Sequence, residues 1–247
     1  MNYKETFAPI AKITIIRTLI VVVLIRQWHI SQLDVKNTFL NGDLQEKDYM
    51  SPPPGISHYS VYVCKFKKAL YSLKQAPRAW FEKFSIVIPS LGFVSSSHDS
   101  TLFIKCTNAG RIILSLYVDD MIITGDDIDG ISILKTELAR RFEMKDLGYL
   151  QYFLGIEIVY SPRGYLLSQS KYVADIFEQV RLTDNKIVDT HIEINVRYSS
   201  SYDLHLIDHT LYHTIIGSLV YLIITRPNIA YVVHVISQFV ASPTIVH

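Results

Sequence analysis

Residues 114–124 read LSLYVDDMIIT, two adjacent carboxylates, Asp119 and Asp120, inside a run that is otherwise apolar. Apolar chain on both sides marks an element built for burial, where an unpaired carboxylate is costly. The pair must therefore stand exposed at a turn, face a cation, or hold a metal. Reading outward, RIILSLYV (111–118), Asp119-Asp120 and MIITG (121–125) predict a strand, a tight turn at the two aspartates and a second strand. Upstream, ISQLDV (30–35) alternates, with Ile30, Gln32 and Asp34 on one face and Leu33 and Val35 on the other. That is a strand with a carboxylate near its end.

The remaining segments mix the two periodicities. Residues 13–25 are rich in Ile and Val, which favours a strand, but their length favours a buried helix. SPPPG (51–55) reads as a rigid loop. A helix is predicted from Ala76-Pro77, with Trp80, Phe81 and Phe84 on its apolar side and Pro89 stopping it. From Ile128 the spacing of Ile131, Leu134, Leu138 and Phe142 is helical. A strand region over KDLGYLQYFLGIEIVY, a turn at 162–164 into YLLSQ, and a helix through Tyr172, Ile176 and Val180 follow. SSSYD (199–203) looks like a linker, and the last segment holds two apolar helices split at Arg226-Pro227. Strands and helices without regular alternation indicate an α+β fold.

Composition excludes several classes. Of 247 residues 49% are hydrophobic and 19% charged, so the chain has material for a core and is not a disordered one. A net charge of +1 means that any attraction to nucleic acid must come from local patches. One such patch runs from Lys65 to Lys83, where Lys65, Lys67, Lys68, Lys74, Arg78 and Lys83 face a single acid of that segment, Glu82, with Tyr71, Trp80 and Phe81 between them. It is either a solvated face or a nucleic-acid surface. Cys64 and Cys106 are far apart and form no CxxC pair, which argues against a disulfide scaffold or a thiolate zinc site. The apolar run TLIVVVLI (18–25) lies between Arg17 and Arg26, too short to span a bilayer, and no signal peptide or transmembrane segment is read.

Three aspartates at strand ends, Asp34, Asp119 and Asp120, form an oxygen-only donor set of the kind that suits Mg²⁺. On spacing alone the simpler reading is that Asp119 and Asp120 make a turn and Asp34 is an exposed strand residue. Five blocks in order change that: QLDVKNTFLNGDLQEKDYMSPPPG, KKALYSLKQAPRAWF, SLYVDDMIITG, FEMKDLGYLQYFLGIEI and GSLVYLIITRPNIAY. Together they resemble the reverse transcriptase of copia-type LTR retrotransposons over nearly the whole chain.

The resemblance implies a right-hand polymerase, with fingers and palm over residues 1–160 and part of the thumb and connection over 161–247. It implies an RNA-directed DNA polymerase that extends a primer 3′-OH with dNTPs, using two Mg²⁺ or Mn²⁺ ions. Asp34, Asp119 and Asp120 match the family's catalytic, metal-binding aspartates, with the Val35 carbonyl assisting. Phe39 matches the aromatic beneath the incoming sugar, and Gln75 the glutamine beside the incoming nucleotide. Lys74, Arg78, Tyr117, Leu154 and Gly155 fall on nucleic-acid contacts, the last two at the primer-grip turn, and Lys145 falls near the leaving pyrophosphate. The implied partners are a primed RNA or DNA template, dNTPs, and either a second copy of the chain or the integrase and RNase H domains of one polyprotein. No membrane is implied, and the implied location is cytoplasmic, within a virus-like particle.

Departures from the family support a rival reading. The chain begins at NYKETFAPI, past a basic fingers segment, and ends before an RNase H domain. Ser72 stands in LYSLKQ where glycine is usual, Pro89 interrupts a helix, and His191 and His209 stand where proline is usual. A truncated, catalytically inactive remnant that at most binds nucleic acid would carry the same marks. His205, His209 and His213, spaced by four, would stack three imidazoles on one side of a helix and invite zinc. With no acidic base motif beside them they are read as incidental.

Overall fold

The structure is a computed structural model that describes residues 8–56, 62–161, 164–180, 206 and 208–244. The apolar run near the N-terminus resolves in favour of its length. It is a helix, α1 (Ile13–Arg26), ended by Gln27 in the left-handed conformation. Ile16, Leu19, Ile20 and Val23 are buried, one 3.6-period stripe, while Val21 and Ile25 stay exposed. A helix that looks apolar all round is thus one-sided in use.

After α1 come β1 (His29–Val35) and a 3₁₀ turn, Thr38–Asn41. A short hairpin of β2 (Tyr49–Met50) and β3 (Cys64–Lys65) precedes α2 (Ala76–Ser90). Then follow β4 (Val94–Ser95), β5 (Leu102–Cys106), β6 (Arg111–Tyr117), β7 (Asp120–Gly125), α3 (Ile128–Arg141) and β8 (Met144–Tyr149). Six of these strands form one antiparallel sheet in the order β4-β5-β6-β7-β1-β8. Pro89 lies in the last turn of α2 and does not end it; the helix runs one residue further. A proline there forfeits only its own bond to the preceding turn, so the predicted stop comes slightly late. Ser72 has no positive φ, so its backbone does not need the glycine usual there.

Alternation sorts the sheet into two faces. Leu33, Val35, Leu114, Leu116, Met121 and Ile123 join Trp80, Phe84 and Ile88 of α2 and Leu134 and Leu138 of α3 in one core. Fully burying each such side chain is worth about 1.5–3 kcal/mol. Trp80 meets Phe142 edge-on at 5.1 Å, and Phe84 meets Phe103 at 5.6 Å. The opposite face carries Ile30, Gln32 and Asp34 of β1 beside Ile122 and Thr124 of β7, and α1 packs against β1. Gly42 ends the 3₁₀ turn against α2, where an added Cβ would lie 2.8 Å from the Trp80 backbone nitrogen. Only glycine permits that approach.

The chain divides into two compact units, Met1–Leu150 and Gln151–His247. In the second, β9 (Tyr152–Phe153), β10 (Ile156–Ser161) and β11 (Gly164–Ser168) form a sheet ordered β11-β10-β9. Helices α4 (Ser170–Val180), α5 (Thr210–Leu222) and α6 (Ala230–Ser237) follow, with a 3₁₀ turn at Pro227–Ile229 after the expected break at Arg226. Tyr172 and Tyr221 join α4 to α5, their rings 5.1 Å apart, and the Tyr212 hydroxyl donates to the Ile236 carbonyl at 2.7 Å. The expected linker at 199–203 and the turn residues Pro162 and Arg163 lie outside the described residues, as do His191 and His205. Among the described residues, no helix is long and apolar enough to cross a membrane.

Candidate active site

The β6–β7 hairpin turns one residue earlier than its sequence predicts. Tyr117 pairs with Asp120, so the turn residues are Val118 and Asp119, and Asp120 already belongs to β7. Val118 has a φ of 55°. Positive φ at the first of two turn positions belongs to the primed turns that suit the twist of a hairpin. A β-branched residue resists that conformation, and sequence preference therefore assigns the turn to the aspartates instead. The Trp80 indole of α2 holds the turn down, its Nε1 donating to the Val118 carbonyl at 2.8 Å.

Strand register then gathers the acids. Asp34 lies directly opposite Asp120 in the antiparallel β1–β7 pair. Residues so opposed have Cα atoms about 4.5–5.5 Å apart and side chains on one face. The Val35 amide donates to the Asp119 carbonyl at 2.9 Å, which brings the turn itself against the end of β1. On the other side Asp34 is opposed by Lys145 of β8. One row across the sheet thus reads Tyr117, Asp120, Asp34, Lys145.

The charges in this row are not balanced internally. Burial pushes the Asp120 carboxyl up from its ordinary pKa, and the charges of Asp119 and Asp34 push it the same way. The amide of Gln32, donating to Asp120 Oδ1 at 2.9 Å, pulls it back in part. Among the described residues no three His, Cys, Asp or Glu side chains close into a ready-made metal cage. Mg²⁺ does not require one, because it keeps several waters and takes one or two carboxylates plus substrate phosphates. Half-buried carboxylates that repel one another fit such an ion. The Val35 carbonyl accepts from the Thr38 hydroxyl at 2.6 Å.

The other expected residues fall as follows. Phe39 sits in the 3₁₀ turn after β1, 8% exposed, with its ring 4.6 Å from that of Tyr71. Gln75 precedes α2, and its amide donates to the Asp48 carboxylate. Lys74 is exposed beside it, and Arg78 pairs with Glu82 at 2.7 Å on the same helix. The basic patch is more neutralised than its sequence suggests, because Lys68 and Lys83 both bind Asp43, a residue from outside the segment. Leu154 and Gly155 belong to the second unit and form the two-residue turn between β9 and β10, with φ of 50° and 73°. The Tyr221 hydroxyl donates to the Leu154 carbonyl. In the same unit the His213 ring contacts the Val240 carbonyl at 2.8 Å. Sequence reasoning passed over Gln32, although its alternation with Asp34 already set it on the acidic face.

Fold and site together define an α+β protein with an oxygen-donor acidic site where two neighbouring strands end. The chain belongs to the reverse transcriptase (RNA-dependent DNA polymerase) family, whose pattern matches residues 1–194. It is 42% identical, over its full length, to the retrovirus-related Pol polyprotein from transposon RE1 of Arabidopsis thaliana, of which it covers 17%. It is 40% identical to the corresponding polyprotein of transposon RE2 of the same plant, over 99% of this chain and 17% of that protein. To the polyprotein of transposon TNT 1-94 of Nicotiana tabacum it is 37% identical, over 98% of this chain and 19% of that one. The chain therefore spans under a fifth of the length of these relatives. The reverse transcriptase resemblance read from the five blocks is borne out. No solved structure matches the chain.

Proposed function

We propose that this chain carries the polymerising site of an RNA-directed DNA polymerase. It adds deoxynucleotides from dNTPs to a primer 3′-OH along an RNA or DNA template. The observation that carries the reading is the register of Asp34 against Asp120, with Asp119 bonded through its carbonyl to Val35. Asp34, Asp119, Asp120 and the Val35 carbonyl would hold two Mg²⁺ or Mn²⁺ ions. When bound, such ions lower the pKa of an attacking hydroxyl and neutralise a triphosphate. The protein's own part is to orient the reactants. Phe39, its ring backed by Tyr71, bounds the sugar and disfavours a 2′-OH. Gln75 lies beside the nucleotide, while Lys74, Arg78, Tyr117, Leu154 and Gly155 follow the nucleic acid. Lys145, registered against Asp34, puts a cation at the border of the row where pyrophosphate would leave.

The same reading assigns fingers and palm to residues 1–160 and thumb and connection to 161–247. It makes the chain one segment of a polyprotein that works in the cytoplasm with integrase and RNase H segments or a second copy of itself. Primer extension on an RNA template with Mg²⁺ or Mn²⁺ tests it. The wild-type chain incorporates dNTPs and Asp119→Asn reduces incorporation to background. Wild type and variant equally silent, yet both binding primer–template, would establish the inactive remnant instead.

A further inference from the structure

Gln32 is 9% exposed, on the face of β1 shared with Ile30 and Asp34. Its cross-strand partner is Ile122, which is fully buried, so Asp120 is its diagonal neighbour two residues along β7. Diagonal neighbours stand about 7–8 Å apart, which a glutamine can bridge and an asparagine, one methylene shorter, cannot. Packing does not explain a glutamine here. Beside Ile30 and Ile122, a methionine of similar size would avoid the cost of burying an amide. The amide is used on Asp120 Oδ1, at 2.9 Å. Charge also discriminates between donors. A lysine would neutralise Asp120 and compete with a cation, whereas an amide fixes the carboxyl and leaves its charge intact.

We infer that Gln32 is a positioning residue, which locks one oxygen of Asp120 so that the other is presented to a divalent cation at the start of β7. The inference rests on the polymerase reading above, because a cation at this row is part of that reading. Groups that orient metal ligands typically change metal affinity or activity by about 10- to 100-fold when lost.

The test compares wild type with Gln32→Met, which keeps the length and removes the donor, and Gln32→Asn, which keeps the donor but falls short. Mn²⁺ binding is titrated by electron paramagnetic resonance on the chain with primer–template. Steady-state extension and thermal melting without metal are measured beside it. Both variants are expected to weaken Mn²⁺ binding and lower kcat about 10-fold or more, with KM for dNTP within about twofold and Tm unchanged or raised in Gln32→Met. Gln32→Met with wild-type Mn²⁺ affinity overturns the inference, as does a loss of kcat matched by a fall in Tm. If wild type binds Mn²⁺ but extends no primer, the polymerase reading fails and the Mn²⁺ comparison still decides Gln32. A wild type that neither binds Mn²⁺ nor extends primer overturns both.

Discussion

Asp120 occupies a position that costs stability. Its carboxyl is raised by burial and by the neighbouring Asp119 and Asp34 charges. A raised folded pKa means that the native state holds this proton more tightly than the unfolded chain does. Its contribution is then fully present below the unfolded carboxyl pKa of about 3.9 and is lost as pH rises through the folded value. At neutral pH the ionised group opposes folding. Asp120→Asn, which can turn its amide oxygen to Gln32, should raise Tm near neutral pH while abolishing primer extension. Melting both proteins across the acid-to-neutral range should show the advantage grow with rising pH; an advantage that shrinks would contradict the raised pKa. At this level much was legible beforehand. Asp34, Asp119 and Asp120 stood out as carboxylates beside apolar runs. The use of Gln32 did not, because a hydrogen bond across 88 positions leaves no trace in local spacing.

The hairpin of β6 and β7 shows how neighbouring elements shape a site. Its turn holds Val118 at a φ that valine disfavours, and the indole of Trp80 secures it from α2. Trp80→Phe keeps most of the ring packing but strands the Val118 carbonyl, a loss of about 1–3 kcal/mol. Urea melts should register that cost, and primer extension at a temperature where both proteins are folded should fall further than stability predicts. Equal activity there would mean that the strap serves packing alone. Periodicity foresaw α3, α4 and the pair of C-terminal helices. It missed the turn by one residue, since the local preference of Asp for turns was overruled by pairing of Tyr117 with Asp120. The two-residue strands β2, β3 and β4 were unread for a related reason: their identity lies in their partners and not in a pattern of their own.

The principal core, from Leu33 to Met144, lies wholly within the unit Met1–Leu150. Residues 1–150 expressed alone should unfold in one cooperative urea transition with an m-value of about 1–3 kcal/mol/M. A gradual, non-cooperative loss of circular dichroism would show that this core depends on the rest of the chain. With a net charge of +1, and with Lys68 and Lys83 already engaged by Asp43, primer–template binding should respond only moderately to salt. From the amino-acid order alone come the family, the mixed α+β class and the identity of the acids, because these rest on local motifs and periodicity. The meeting of Asp34 with Asp120, the bond from Gln32 and the neutralisation of the basic patch come from folding. Each depends on which strand lies beside which and in what register, and register is fixed by burying one face of a sheet against its helices.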